Sequence, residues 1–92
     1  MLRVVRERDI EAFLVKRVRA LGGELRKVRW VGRRGAPDRR VMLEHKAPFW
    51  IELKAPGKSL SPLQLREHTR MRRLGESVAI ADSFETIEDL LK

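Results

Sequence analysis

Two carboxylates and one ammonium stand inside otherwise apolar sequence. Asp38 closes Gly35-Ala36-Pro37-Asp38, and Glu52 and Lys54 interrupt Phe49-Trp50-Ile51-Glu52-Leu53-Lys54. Burying an unpaired ionised group costs roughly several kcal/mol, so charges at these places need a use. A divalent cation between Asp38 and Glu52, with Lys54 beside it, would supply one. Together with a backbone carbonyl, that of Leu53, the two acids make an all-oxygen donor set, which suits Mg²⁺ or Mn²⁺ rather than zinc or copper. Such an ion could polarise a phosphodiester oxygen and lower the pKa of a water. Lys54 could hold that water or offset charge developing in the transition state.

Residues two apart in a strand share a face, so Trp50, Glu52 and Lys54 point one way while Phe49, Ile51 and Leu53 point the other. Asp38 opens the neighbouring strand just after Pro37 has fixed its entry angle. With the first helix over the functional face, Glu52 and Lys54 sit beneath it, beside the edge where Glu11 emerges. Glu11 then reaches the ion through a water. Gln64 falls on the inward side of a later helix with Met71, so it could both cap that helix and face the site.

Each of these positions also has a plain structural alternative. Asp38 after proline is ordinary turn chemistry. Glu52 and Lys54 could form a charge pair on a wet edge strand, Glu11 could be helix surface, and Gln64 could serve only the cap. His45 and His68 lack metal-ligand spacing and read as incidental, although His68 lies one turn beyond Gln64 and could line the site.

The elements that must position these groups follow from periodicity and turn residues. Ile10, Phe13, Leu14, Val18 and Leu21 form one stripe of a helix from Glu7 to about Leu21, stopped by Gly22-Gly23. Arg17 interrupts that stripe. Glu24–Trp30 alternates as a strand, Gly32, Gly35 and Pro37 mark a loop, and Asp38–Glu44 is a second strand. His45-Lys46-Ala47-Pro48 reads as the turn into a third, from Phe49 to Lys54. Ser61-Pro62-Leu63-Gln64 starts a helix that runs to Leu74 with Gly75 as its cap. Ser77–Ala81 is a fourth strand, and Ser83 caps a closing helix to Leu91. The order α-β-β-β-α-β-α makes an α/β domain spanning 1–92, with a central sheet flanked by helices.

The 92 residues carry 21 Lys and Arg against 13 Asp and Glu, a net charge of +8. That balance favours a polyanionic partner. From Arg26 to Arg40 there are seven basic residues and one acid. Arg26, Lys27, Arg29, Arg33, Arg34 and Arg39, with Lys58 beyond the third strand, are candidates to grip phosphates. Arg66, Arg70, Arg72 and Arg73 add a second basic region. Trp30 could stack on a base, although packing is the commoner use of a lone tryptophan. With no cysteine, disulfides and thiolate zinc sites are excluded. No apolar run is long enough for a membrane helix. Met1-Leu2-Arg3-Val4-Val5-Arg6 has no secretory h-region, so a cytoplasmic setting is expected.

In order along the chain, Glu11, Gly22-Gly23, Gly35-Ala36-Pro37-Asp38-Arg39, Glu52-Leu53-Lys54-Ala55-Pro56-Gly57-Lys58, Pro62-Leu63-Gln64 and Val78 through Ser83 resemble the virus-type replication-repair nuclease (VRR-NUC) domain, a branch of the PD-(D/E)XK phosphodiesterases. A short Asp…Glu-x-Lys signature recurs by chance, whereas the extended runs are specific. The resemblance implies a restriction-endonuclease-like α-β-β-β-α-β core with a mixed sheet. It implies metal ligation by Asp38 and Glu52, a catalytic Lys54, supporting Glu11 and Gln64, and hydrolysis of DNA with Mg²⁺ or Mn²⁺. Stand-alone relatives, typical of phages and bacteria, resemble junction-resolving enzymes, which implies a homodimer acting on branched, flap or four-way DNA. The competing readings are a non-catalytic basic nucleic-acid-binding module on the same fold, and a scaffold whose charge is a contact surface.

Overall fold

A computed structural model describes residues 4–92. Met1–Arg3, the start of the stretch read as lacking a secretory segment, lie outside the described residues. The elements run α1 (Glu7–Ala20), β1 (Glu24–Lys27), β2 (Arg39–Leu43), β3 (Lys46–Leu53), α2 (Pro62–Arg73), β4 (Val78–Ala81) and α3 (Phe84–Leu91). The four strands form one mixed sheet in the order β1-β2-β3-β4, antiparallel except for the β3–β4 pair. This is the α/β class and element order that the sequence predicts. Among the described residues, no helix is long and apolar enough to cross a membrane.

The apolar stripe of α1 and the apolar face of β3 build the main core. Ile10, Leu14 and Val18 pack with Val41, Phe49, Ile51, Leu53 and Ala81, and Ile87 and Leu91 of α3 complete the cluster. Helices α1 and α3 therefore share one side of the sheet. Arg17, the charge inside the α1 stripe, reaches Glu88 of α3 at 2.5 Å and ties the two helices together. Gly23 lets α1 turn down onto β2: a side chain there would stand 2.5 Å from the Met42 carbonyl and 2.6 Å from Leu43.

The strand boundaries differ from the sequence reading by more than one residue at two places. The first strand ends at Lys27 rather than Trp30, with one further ladder bond from Val28 N–H to the Asp38 carbonyl at 2.8 Å. Lys46, Ala47 and Pro48 belong to β3, and the turn is only Glu44-His45. Proline is accepted there because β4 begins its pairing at Trp50, so Pro48 lies beyond the reach of the second neighbour.

The helix that covers the charged face also differs. Trp50, Glu52 and Lys54 lie on the side opposite the main core, beneath α2 rather than beneath α1. A fully apolar face of β3 demands the two more apolar helices, which leaves the mixed face for α2 and its inward residues Gln64, His68 and Met71.

Candidate active site

The β2–β3 register brings the two strand acids together. Arg39 is opposite Ile51, and Arg40 is opposite Trp50. Continuing that ladder by one residue sets Asp38 across from Glu52, and opposed residues of an antiparallel pair share a face. Backbone contacts fix the approach of Asp38 from its own side. Its carbonyl accepts from Val28, and the preceding Pro37 carbonyl accepts from Trp30 Nε1 at 2.8 Å. Trp30 packs its ring against Trp50, with centroids 5.0 Å apart, so this tryptophan holds the loop rather than standing free.

Glu52 is the most enclosed of the candidate carboxylates, with 12% of its side chain exposed, against 47% for Asp38 and 43% for Glu11. Burial pushes its carboxyl up to about 7. Lys54 pulls it back, Asp38 and Glu7 push it higher, and Arg39 opposes them. Its buried Oε1 makes no hydrogen bond. A carboxyl group kept dry beside a second acid fits a hard cation. Among the described residues, no group of three His, Asp or Glu side chains is gathered as a ready-made metal site. A bound ion would therefore rest on two carboxylates, a main-chain oxygen such as that of Leu53, and water.

Lys54 leaves the end of β3 on the same face as Glu52, and its backbone N–H donates to the Ala81 carbonyl at 2.9 Å. Its ammonium donates to Gln64 Oε1 at 2.8 Å. That same oxygen accepts from Ser61 N–H at 3.0 Å, while Gln64 N–H donates to Ser61 Oγ at 3.1 Å. Gln64 thus caps α2 and holds Lys54 at once, joining two uses that the sequence leaves as alternatives. Gly35 makes room for the start of α2. It has φ +80°, and a side chain there would stand 2.8 Å from the Leu63 carbonyl.

Arg39 departs from the sequence reading. Its place in the basic cluster groups it with the phosphate-gripping residues, but only 10% of its side chain is exposed. Its guanidinium bonds Glu11 on one side and Asp38, at 2.8 Å, on the other. Burial alone would lower its pKa; the two carboxylates outweigh that and raise it. Glu11 is therefore joined to the site through Arg39. Arg39 stands opposite Ile51, and its long side chain spans from Glu11 of α1 to the neighbouring Asp38.

The remaining basic candidates, Arg26, Lys27, Arg29, Arg33, Arg34 and Lys58, are exposed. Arg26 pairs with Glu24 at 2.5 Å. Arg33, Arg34, Arg66 and Arg70 line a groove of about 250 Å³ between the β1–β2 loop and α2. Buried Glu67 lies at its floor, 4.0 Å from Arg33 and 3.9 Å from Arg70. Val31, at the tip of the loop, is 93% exposed.

Sequence reasoning undervalues one residue. His68 is completely buried, and its Nε2 stands 3.4 Å from Glu52 Oε1. Burial, then the Arg72 charge, holds its pKa below the ordinary imidazole value, against the Gly35 backbone and Glu67. The available signal is its spacing four residues after Gln64.

The chain is similar to a protein described as "Putative nuclease p44" from Acyrthosiphon pisum secondary endosymbiont phage 1. The two are 46% identical over 82 residues, which cover 89% of this chain and 88% of that protein. A solved structure described as a VRR-NUC domain superposes with a TM-score of 0.83 at 35% identity, covering 95% of each chain. No protein-family model matches.

Proposed function

The chain belongs to the VRR-NUC family of nuclease domains, and from that premise we propose that it is a metal-dependent DNA endonuclease acting on branched, flap or four-way DNA. What carries this reading is a β2–β3 register that, continued by one residue, sets Asp38 opposite Glu52, the Asp38 charge acting on that buried carboxyl, and Lys54 two residues along the same face. Asp38, Glu52 and the Leu53 carbonyl would hold Mg²⁺ or Mn²⁺, with Glu11 behind them. When bound, such an ion would polarise the scissile phosphate and make water more acidic.

The chain's own groups do the rest. Asp38 and Glu52 would fix where such a cation sits, at the end of the sheet. Lys54, aimed by Gln64, presents its ammonium where negative charge gathers on the phosphoryl oxygens. Arg39 keeps Asp38 in place. Arg33 and Arg34, with Arg66 and Arg70 across the groove, fit the backbone of a strand leaving the site, and such contacts carry no base information. A homodimer would set two sites on two strands of a branched substrate. The phage relative supports a nuclease domain over 1–92 that acts in the cytoplasm of a bacterial or phage-infected cell.

The test is cleavage of labelled DNA by Asp38→Ala, Glu52→Ala and Lys54→Ala proteins. Each should lose at least about 100-fold in rate while still shifting the same DNA in a gel. A folded Glu52→Ala protein that cuts as fast as the wild type would refute the site.

A further inference from the structure

We propose that His68 is a positioning residue for Glu52, donating from Nε2 to Oε1 so that the other carboxylate oxygen faces the cation. This rests on the metal-site reading above. The first observation is the matched pair of deficits. His68 is fully buried beside the Gly35 backbone, neither ring nitrogen makes a well-formed hydrogen bond, and the buried Oε1 of Glu52 has no donor either. Leaving such groups unmatched costs roughly 1–3 kcal/mol each. The two lie 3.4 Å apart, at the long edge of hydrogen-bonding distance, and a slight turn of the ring with a movement of a few tenths of an ångström would bring Nε2 onto Oε1.

The second observation is where His68 is anchored. It projects from α2 one turn after Gln64, which already holds Lys54. The backbone of Gly35 lies beside the ring, and Gly35 itself is pressed against the first turn of α2. One helix face therefore touches the loop that delivers Asp38 and the strand that delivers Glu52 and Lys54. Carboxylates that hold a metal are commonly fixed by a hydrogen bond to the oxygen turned away from it, and losing that partner typically weakens metal binding about 10–100-fold. Among the described residues, no other group donates to Oε1.

The experiment is a Mn²⁺ titration of the protein without DNA, followed by the loss of the free-ion electron paramagnetic resonance signal. His68→Leu keeps most of the ring volume without a donor, His68→Gln puts an amide N–H near the Nε2 position, and Glu52→Ala is the control. The expected result is a loss of about 10–100-fold in affinity for His68→Leu and substantial recovery for His68→Gln, with both folded by circular dichroism. Loss of uptake in Glu52→Ala with undiminished uptake in His68→Leu would overturn the role of His68 and leave the metal site standing. No uptake by the wild type would overturn both. Nitrogen-15 spectra of the wild-type imidazole give a reading that needs no folded His68 variant. The proton should reside on Nε2 and its signal should move in Glu52→Ala. A proton on Nδ1, indifferent to Glu52→Ala, would overturn the proposal.

Discussion

Glu52 should make the metal-free protein lose stability as the pH rises, and replacing it with glutamine should remove that loss. Folding raises its carboxyl from about 4.5 to about 7. The folded protein therefore holds this proton more tightly than the unfolded chain does. Below about pH 4.5 both states are protonated and the group has no net effect. Between about 4.5 and 7 folding takes up a proton, and stability falls by about 1.4 kcal/mol per pH unit. Above about pH 7 the loss is complete, at about 3 kcal/mol, which is an appreciable fraction of the roughly 5–15 kcal/mol that holds a small domain folded.

Urea unfolding of wild type and Glu52→Gln in a chelator, from pH 4.5 to 8.5, measures this directly. The difference between the two proteins should grow toward about 3 kcal/mol in favour of the variant, or more than about 10 °C in Tm for a domain of this size. Added Mn²⁺ should then close most of that gap. Saturation at about a hundred times Kd stabilises the wild type by about 2.7 kcal/mol and leaves the variant nearly unmoved. Two stability curves that stay parallel across the pH range would refute the claim that burial raises the Glu52 carboxyl.

Gly35→Ala combines a positive φ with a clash against α2, so it should cost more than about 1 kcal/mol, seen as a Tm lowered by at least about 5 °C. Trp30→Phe keeps ring packing but removes the donor to Pro37; it should lose about 1 kcal/mol in urea unfolding, with cleavage falling by more than the unfolded fraction explains. Replacing Arg33 and Arg34 by alanine should weaken DNA binding similarly on every sequence. The same change should flatten the dependence of affinity on log salt concentration by about one for each phosphate the protein no longer neutralises.

The face of β3 is legible in the sequence because strand alternation is rigid: once Phe49, Ile51 and Leu53 point into the core, Glu52 and Lys54 must point away from it. Apposition of Asp38 and Glu52 follows from a short hairpin, although its turn is Glu44-His45 instead of four residues. The helix over the charged face is α2 where the sequence reading expects the first helix, yet the information is present. Helices α1 and α3 carry the apolar stripes that a wholly apolar strand face requires, and α2 is the polar helix that remains. The pairings of Arg17 with Glu88 and of Arg39 with Glu11 lie 71 and 28 residues apart. No local period encodes such contacts. An arginine in a basic cluster looks like a phosphate ligand until the fold shows it enclosed between two acids, and a histidine with no partner in sequence looks incidental until a strand brings Glu52 to it.

Anomalous diffraction from crystals soaked in Mn²⁺ addresses the pairing of Asp38 and Glu52 most directly. A single strong peak within coordination distance of oxygens from both side chains, absent from Glu52→Ala crystals grown the same way, is the result expected. Manganese bound elsewhere, or a density map with those two carboxylates turned apart around nothing, would contradict it.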